Sequence, residues 1–523
     1  MHIRNVLCRS APLGHSDIAS EEWRVLVKSA LMTKGFAELR AYRLFVFSIL
    51  LGAVSSALAQ TGPQPLVQGT IVTGQCNGHG SEPGCALPNL FGPQGLSLYS
   101  NPVFPHYAHF IGSAQTTLNQ TLGTAIATQL AILPIISPAS GFTYKYDSAT
   151  GAFQRSTTTF GPIYTERAET IGRGKVYFGV SYQRFRFDKL DGLDLHSVPS
   201  VFSHVPKTGQ NGAAEIYEND VIRASNNITF NMDQTMLFGT VGVTDRIDVS
   251  LAVPFVSARM GASSNDQIIR VSGPTFVPST GGGPFSNPHQ FNANPASLTN
   301  VYSARGSATG VGDVTIRIKG NVIQSDAVRI AVALDIRTPT GNARELLGSG
   351  STGIRPFIAI STGKRVSPHA NIGYQYNGSS ILAGNLTGTT ISEDASGNTV
   401  IQNGPATKGH VPGNFFFAGG ADIGLTSRVT LAFDYLGQTV FDAPRVFRSD
   451  FTTANIPGGT GAIALPNIVG RKETMTLSSG TAGVKVNLFG GLLLTADVLF
   501  RLDNNGLRQN VTPLVGLSRT FGR

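Results

Sequence analysis

Val429, Leu431, Phe433 and Tyr435 fall on one face at period two, and Thr430, Ala432 and Asp434 fall on the other. That alternation belongs to a strand with one apolar and one polar surface. A tight turn, Thr426-Ser427-Arg428, launches it. The device recurs after Thr244-Asp245-Arg246, where Ile247, Val249, Leu251, Val253 and Phe255 alternate with Asp248, Ser250 and Ala252. The pattern predicts twelve strands, at 175–187, 228–243, 247–258, 312–322, 328–338, 353–363, 369–382, 413–425, 429–440, 474–488, 492–503 and 511–521. Most have the ~9 to 11 residues that cross a bilayer at a tilt. Their connections alternate strictly: long at 188–227, 259–311, 339–352, 383–412, 441–473 and 504–510, short at 244–246, 323–327, 364–368, 426–428 and 489–491. Outer-membrane barrels combine short periplasmic turns, longer external loops and an even strand number. A β-sandwich has no reason to alternate its loops this way, and no propeller repeat is present. The fold predicted is all-β, an antiparallel transmembrane β-barrel of about twelve strands, with fourteen as the alternative count.

Ahead of the barrel the pattern changes. Leu44–Leu58 is a weakly polar to apolar run preceded by Lys34, Arg40 and Arg43 and followed by Ala57-Leu58-Ala59, the layout of a secretory signal. Residues 1–59 read as leader and signal peptide, with translation expected to start at Met32 and the mature chain at Gln60. From Gln60 to about Pro105 the chain is rich in Gly, Pro, Asn and Ser, as in an extended loop. Leu118, Leu122, Ala125, Ile126 and Leu130 then predict an amphipathic helix over Ser113–Ile132, ending before Pro134. Phe142–Tyr146 and Ala152–Arg155 predict a small hairpin. Residues 60–174 are thus an N-terminal segment, periplasmic or plug-like, before a barrel over 175–523.

Composition supports this partition. Charged residues are 14%, against roughly 25% in soluble domains. The net charge of +9 falls to +6 without the leader, which holds seven Lys/Arg and four Asp/Glu, and no basic cluster points to nucleic acid. The only Trp is Trp23, so an interfacial belt must rest on Tyr374, Tyr376, Tyr435, Phe255 and Phe500. With Cys8 in the leader, Cys76 and Cys85 remain, with eight residues of polar loop between them, and export favours a disulfide between them. A metal site with His79 as third ligand is the alternative, lacking a fourth ligand.

Gly363-Lys364 lacks a phosphate cradle because Ile358 stands where the first glycine belongs. His106 and His109 have no metalloprotease Glu, and no nucleophile elbow is present. No catalytic, cofactor-binding or metal-ligating set is predicted. Inward positions carry small residues, Gly373, Gly420, Gly424, Ala331, Ala333 and Ala432, beside pore-lining candidates Arg317, Lys319, Asp335 and Arg337 on one side of the sequence and Asp434, Lys485, Asp497 and Arg501 on the other. Charges that face inward imply a wet lumen, since burying them unpaired is costly. With Val322 opposite Val328, Arg317 lies opposite Ala333 and diagonal to Asp335. With Leu488 facing Leu492, Lys485 lies opposite Thr495 and diagonal to Asp497. Ion pairs Arg317 with Asp335 and Lys485 with Asp497 are expected on the pore wall.

Three segments add a family resemblance: Phe160–Arg167, Gly310–Val314 and Thr338–Asn342. They resemble outer-membrane barrel proteins of the phenol meta-pathway degradation family, which are similar to hydrophobic-compound uptake channels of the fatty-acid transporter type. The resemblance covers about Phe160–Phe521 and implies an outer-membrane channel or transporter for small solutes, aromatic or lipophilic ones among them. The partners expected are outer-membrane lipid, the barrel assembly machinery and a small-molecule solute. Gly522 and Arg523 follow Phe521, where such barrels usually end on an aromatic residue. The readings from other classes are a surface-structural or ligand-binding barrel without transport, and an outer-membrane hydrolase.

Overall fold

In the computed structural model the described residues run from 81 to 522, apart from 92–95, 97, 100–109, 111–112, 139–140, 142, 148–151, 156, 204–218, 272–274, 277–284, 288, 326, 387–388, 394–398 and 456–460. The leader, Met32, Gln60, Cys76, His79, His106 and His109 lie outside the described residues. Twelve strands make the wall: β1 Val176–Phe187, β2 Val221–Gly242, β3 Ile247–Ile269, β4 Thr315–Gln324, β5 Arg329–Arg337, β6 Gly353–Ser361, β7 Val366–Asn377, β8 Asn414–Gly424, β9 Val429–Thr452, β10 Ala464–Phe489, β11 Leu492–Arg501 and β12 Val511–Phe521. Each pairs antiparallel with its sequence neighbours, and β12 pairs with β1, so the sheet closes and leaves no edge in the wall. Between strands, turns of two to four residues at one end alternate with long connections at the other. Both ends of the barrel sequence meet at the short-turn end, where Phe521 pairs with Val176.

Outward positions of the short-turn half carry the apolar residues the period predicts. Phe178, Ile318, Val332, Ile358, Ile372 and Phe433 are all exposed on the exterior. So are the five aromatic residues expected at the interface, Phe255, Tyr374, Tyr376, Tyr435 and Phe500. Four strands run well past their expected ends: β2, β3, β9 and β10 have 22, 23, 24 and 26 residues. The reason is legible on β3. Its outward residues are apolar from Ile247 to Phe255 and then become Ser257, Arg259, Gly261, Ser263, Asn265 and Gln267, while pairing with β2 continues to Ile269. The apolar signature stops; the hydrogen-bond ladder does not. Inward residues invert in the opposite sense, from Asp248 and Ser250 to Val256, Ala258, Met260 and Ala262, which join the main core.

One strand of the wall is interrupted. Thr299–Val311 pairs with the distal half of β3 and β4 pairs with its proximal half, so Gly312–Val314 breaks what would be one continuous strand. The break is held by the 338–342 segment: Val314 N donates to Thr340 Oγ1 at 2.9 Å, and Thr340 Oγ1 donates to Gly312 O at 2.7 Å. Asp313 caps it by accepting from Gly341 N and Ser349 N. Two of the three family-like segments therefore dock on each other.

The N-terminal segment contains the predicted helix, α1 Ser113–Ile132, and the predicted hairpin, Tyr144–Asp147 paired with Ala152–Arg155. The periodicity of α1 suggests one wet face, but Thr121, Thr124 and Thr128 are buried along with Leu118, Leu122 and Ile126. Thr124 and Thr128 satisfy their hydroxyls on the carbonyls of Gln120 and Thr124, one turn back. A polar face without water is tolerable because it satisfies itself. The helix packs on β9, β10 and the 379–385 strand at the long-connection end. Cys85 is disulfide-bonded.

Candidate functional site: the charged inner wall

Residues 157–174 cross the short-turn end of the lumen. Phe160 N donates to Thr430 on β9, Glu166 N to Asn371 on β7, Ala168 N to Ser361 on β6 and Ile171 N to Asp248 on β3. Tyr164 reaches Gln183 on β1, and Lys485 on β10 donates to Pro162 O at 2.6 Å. A single stretch that touches strands on every side of a closed barrel can only lie inside it. Glycine permits the closest approach. A Cβ on Gly242 would stand 1.9 Å from the Gly172 carbonyl oxygen, and Gly172 itself has φ +93.

This stretch supplies charges that complete those of the wall. Glu166 accepts from Lys319 Nζ at 2.7 Å and from Arg317 Nη1, and Ser137 Oγ donates to it at 2.9 Å. Burial pushes the Glu166 carboxyl up, but Lys319 and Arg317 outweigh that and hold it below the usual range. Arg167 is buried against Asp422, with Nη1 donating to Thr157 at 3.0 Å. Glu169 accepts from Arg329 at 2.9 Å. Lys319 Nζ also donates to the carbonyls of Arg167 and Glu169. On the wall, His369 bridges two carboxylates, with Nε2 2.6 Å from Asp434 and Nδ1 3.3 Å from Asp422.

All eight pore-lining candidates project inward, and protein groups meet the charges of Arg317, Lys319, Asp335, Arg337, Asp434 and Lys485. The wet-lumen expectation is corrected for Arg317, Lys319 and Lys485. These are buried because the 157–174 stretch brings carboxylates and carbonyls to them, which period-two reasoning about the wall alone cannot see. Asp434 likewise accepts from Thr165 at 2.9 Å. Arg337 sits higher, donating to Ala131 O at the end of α1 and to Asn377 at 3.0 Å.

Arg317 and Asp335 do pair, at 2.6 and 2.9 Å, but from directly opposite positions rather than on a diagonal. An irregularity between Asn321 and Ile323 shifts the register from the one expected. Arg355, which the sequence reading missed, joins them through Asp335 at 3.0 Å. Lys485 lies opposite Thr495 as expected. Its ammonium nevertheless turns to the Phe160 and Pro162 carbonyls, and both Asp497 oxygens lack a hydrogen-bond partner among the described residues. The expected Lys485–Asp497 pair is therefore replaced by a bond to the inner segment. Glu166, Arg167, Glu169, His369 and Asp422 were also missed. Glu166 and Arg167 lay within a segment singled out by resemblance, and that was the one signal available.

Several solved barrels are similar to this one. An outer membrane channel from Pseudomonas putida F1 matches with 11% identity and a TM-score of 0.37, covering 68% of this chain and 98% of that one. A Pseudomonas aeruginosa FadL homologue matches with 10% identity and a TM-score of 0.27, over 66% and 90% of the two chains. The Ralstonia pickettii toluene transporter TbuX matches with 11% identity and a TM-score of 0.27, over 67% and 90%. No curated protein matches the sequence. Residues 207–427 match the family model described as "Putative MetA-pathway of phenol degradation", and it is this family that the chain resembles.

Proposed function

We propose that the protein is an outer-membrane channel or transporter that passes small solutes, aromatic or lipophilic ones among them. The observation that carries this reading is the pairing of an apolar outer band with a hydrophilic inner wall on one closed twelve-stranded sheet. An apolar exterior is stable against lipid, and a charged interior is stable only when it is paired or hydrated. The solute class follows the family resemblance. Export by the N-terminal signal and insertion by the barrel assembly machinery complete the reading. Residues 60–174 act in it as a plug, with 157–174 as the internal barrier that solute must pass.

The occupied lumen favours a second reading, a ligand-binding barrel without transport. Reconstitution into planar bilayers and liposomes separates the two. A channel gives discrete conductance steps and solute-dependent liposome swelling, whereas a barrel that inserts and stays silent in both assays is a binder.

A further inference from the structure

Just past the level where the outward face of β3 turns from apolar to polar, arginines collect on neighbouring strands. Arg184 on β1 lies opposite Asp233 on β2, and Asp233 lies opposite Ser257 on β3. One pleat further out, Arg186, Asn231 and Arg259 form a second row that ends on Ser307 of the Thr299–Val311 strand. Arg305 is the next outward residue of that strand, diagonal to Arg259. Four strands carry the cluster, so it spans three strand spacings, about 14 Å.

Only one carboxylate, Asp233, shares these rows. Its Oδ1 stands 3.5 Å from Arg184 Nε, its Oδ2 accepts from Arg259, and Tyr182 Oη donates to it at 2.7 Å. The ion pairs of this face all end on Asp233, and Arg186 and Arg305 take no part in them. The Arg184 and Arg259 side chains remain 43% and 50% exposed, so even the paired arginines have donors to spare. Immediately toward the short turns, Phe178 and Val180 on β1, Leu237 on β2 and Val253 and Phe255 on β3 face outward as a continuous apolar surface.

Uncompensated cations at the edge of a lipid-facing band meet their counterpart where the headgroups are anionic. The long-connection end of an outer-membrane barrel is external, so the leaflet that meets this patch is the outer one. Guanidinium forks match phosphate oxygens two at a time, which makes arginine the residue suited to a phosphorylated headgroup. The apolar surface beside the arginines decides between a lipid and a free anion. Inorganic phosphate would use the cations alone, whereas a lipid also lays acyl chains on Val180, Leu237 and Phe255.

Resting on the outer-membrane reading, we propose that this patch binds the phosphorylated glycolipid of the outer leaflet. Arg184, Arg186, Arg259 and Arg305 hold its phosphates, and its acyl chains follow the apolar surface of β1, β2 and β3. Native mass spectrometry of the full-length protein in detergent, titrated with lipid A and with the same lipid stripped of its phosphates, tests the site. The native protein retains lipid A in preference to the stripped lipid. Arg186→Gln combined with Arg259→Gln lowers lipid A affinity about twentyfold, near fivefold for each cation lost beside an anionic headgroup, and leaves the stripped lipid unchanged. A charge-matched pair on β9 and β10, Arg448→Gln with Arg471→Gln, leaves lipid A affinity unchanged. Retention of the folded barrel's electrophoretic mobility shows that each variant is intact. Equal retention of the two lipids, unchanged lipid A affinity in the patch variant, an equal loss in the β9 and β10 pair, or displacement by inorganic phosphate at matched concentration overturns the proposal. The measurement needs no transport, so a barrel that conducts but does not prefer lipid A fails this proposal alone.

Discussion

The two halves of the barrel wall solve opposite problems with the same backbone. Near the short turns, β3 shows Val249, Val253 and Phe255 to the outside and Asp248 and Ser250 to the inside; beyond Phe255 it shows Arg259, Ser263 and Asn265 outside and Val256, Met260 and Ala262 inside. Its partner β2 agrees, with Leu237 and Val241 outside in one half and Arg223, Asn227 and Asp233 in the other. The first half is an inside-out protein, where lipid accepts the apolar face and the interior must settle its charges. The second is an ordinary soluble fold built around α1. The level of the swap marks where the surrounding solvent changes from hydrocarbon to water.

The largest effect expected is on the polar interior. Deleting residues 158–172 takes Glu166 from Arg317 and Lys319, Glu169 from Arg329 and two carbonyls from Lys485 and opens the short-turn end, and conductance should rise several-fold over the native protein. An unchanged conductance would mean that these residues are not the barrier. A milder break is Glu166→Ala, which leaves buried Lys319 and Arg317 short of an anion and should cost about 3–5 kcal/mol in urea unfolding from lipid vesicles. Because the folded Glu166 carboxyl is held below its usual range, its contribution is complete above the ordinary carboxyl range. It is lost as pH falls through the lowered value. The difference between native and Glu166→Ala protein should therefore shrink in strong acid and stay constant above about pH 5.

In the upper half the interior is the sensitive apolar side. Phe230 is 1% exposed and stacks on Phe187 at 5.0 Å between ring centres, so Phe230→Ala should cost about 3–5 kcal/mol. The exterior gives the sharpest contrast. Phe433→Arg on the lipid face should cost about 2–4 kcal/mol. Ser263→Arg, on the outward face of the extension, should stay within about 0.5 kcal/mol. Equal costs for the two would erase the distinction between halves.

Sequence periodicity recovered the lower half closely, because lipid demands an apolar residue at every outward position and so writes a clean alternation. All twelve strands and the order of long and short connections were legible for that reason, and α1 and the hairpin fell where spacing put them. The upper extensions of β9 and β10 were hidden because their outward faces are polar, and a polar–apolar strand facing water reads like a loop when Gly, Ser and Pro are frequent. At the inner wall, the inward direction of Arg317, Lys319 and Lys485 was legible but their partners were not. Glu166 and Arg167 are about 150 residues away in sequence from Arg317, on a stretch with no period, and only closure of the barrel brings them together. The irregularity at Asn321 likewise left no mark that the alternation could register.

An accessibility scan along the outward face of β3 tests the division most directly. Spin labels placed singly at 247, 249, 253, 255, 257, 259, 263 and 265 in the protein reconstituted in lipid vesicles report collisions with oxygen, which concentrates in hydrocarbon, and with a water-soluble nickel complex. The account predicts oxygen-dominated relaxation from 247 to 255 and nickel-dominated relaxation from 257 onward, with the change between adjacent outward positions. Uniform nickel accessibility along the whole strand, or a change at another level, would contradict it.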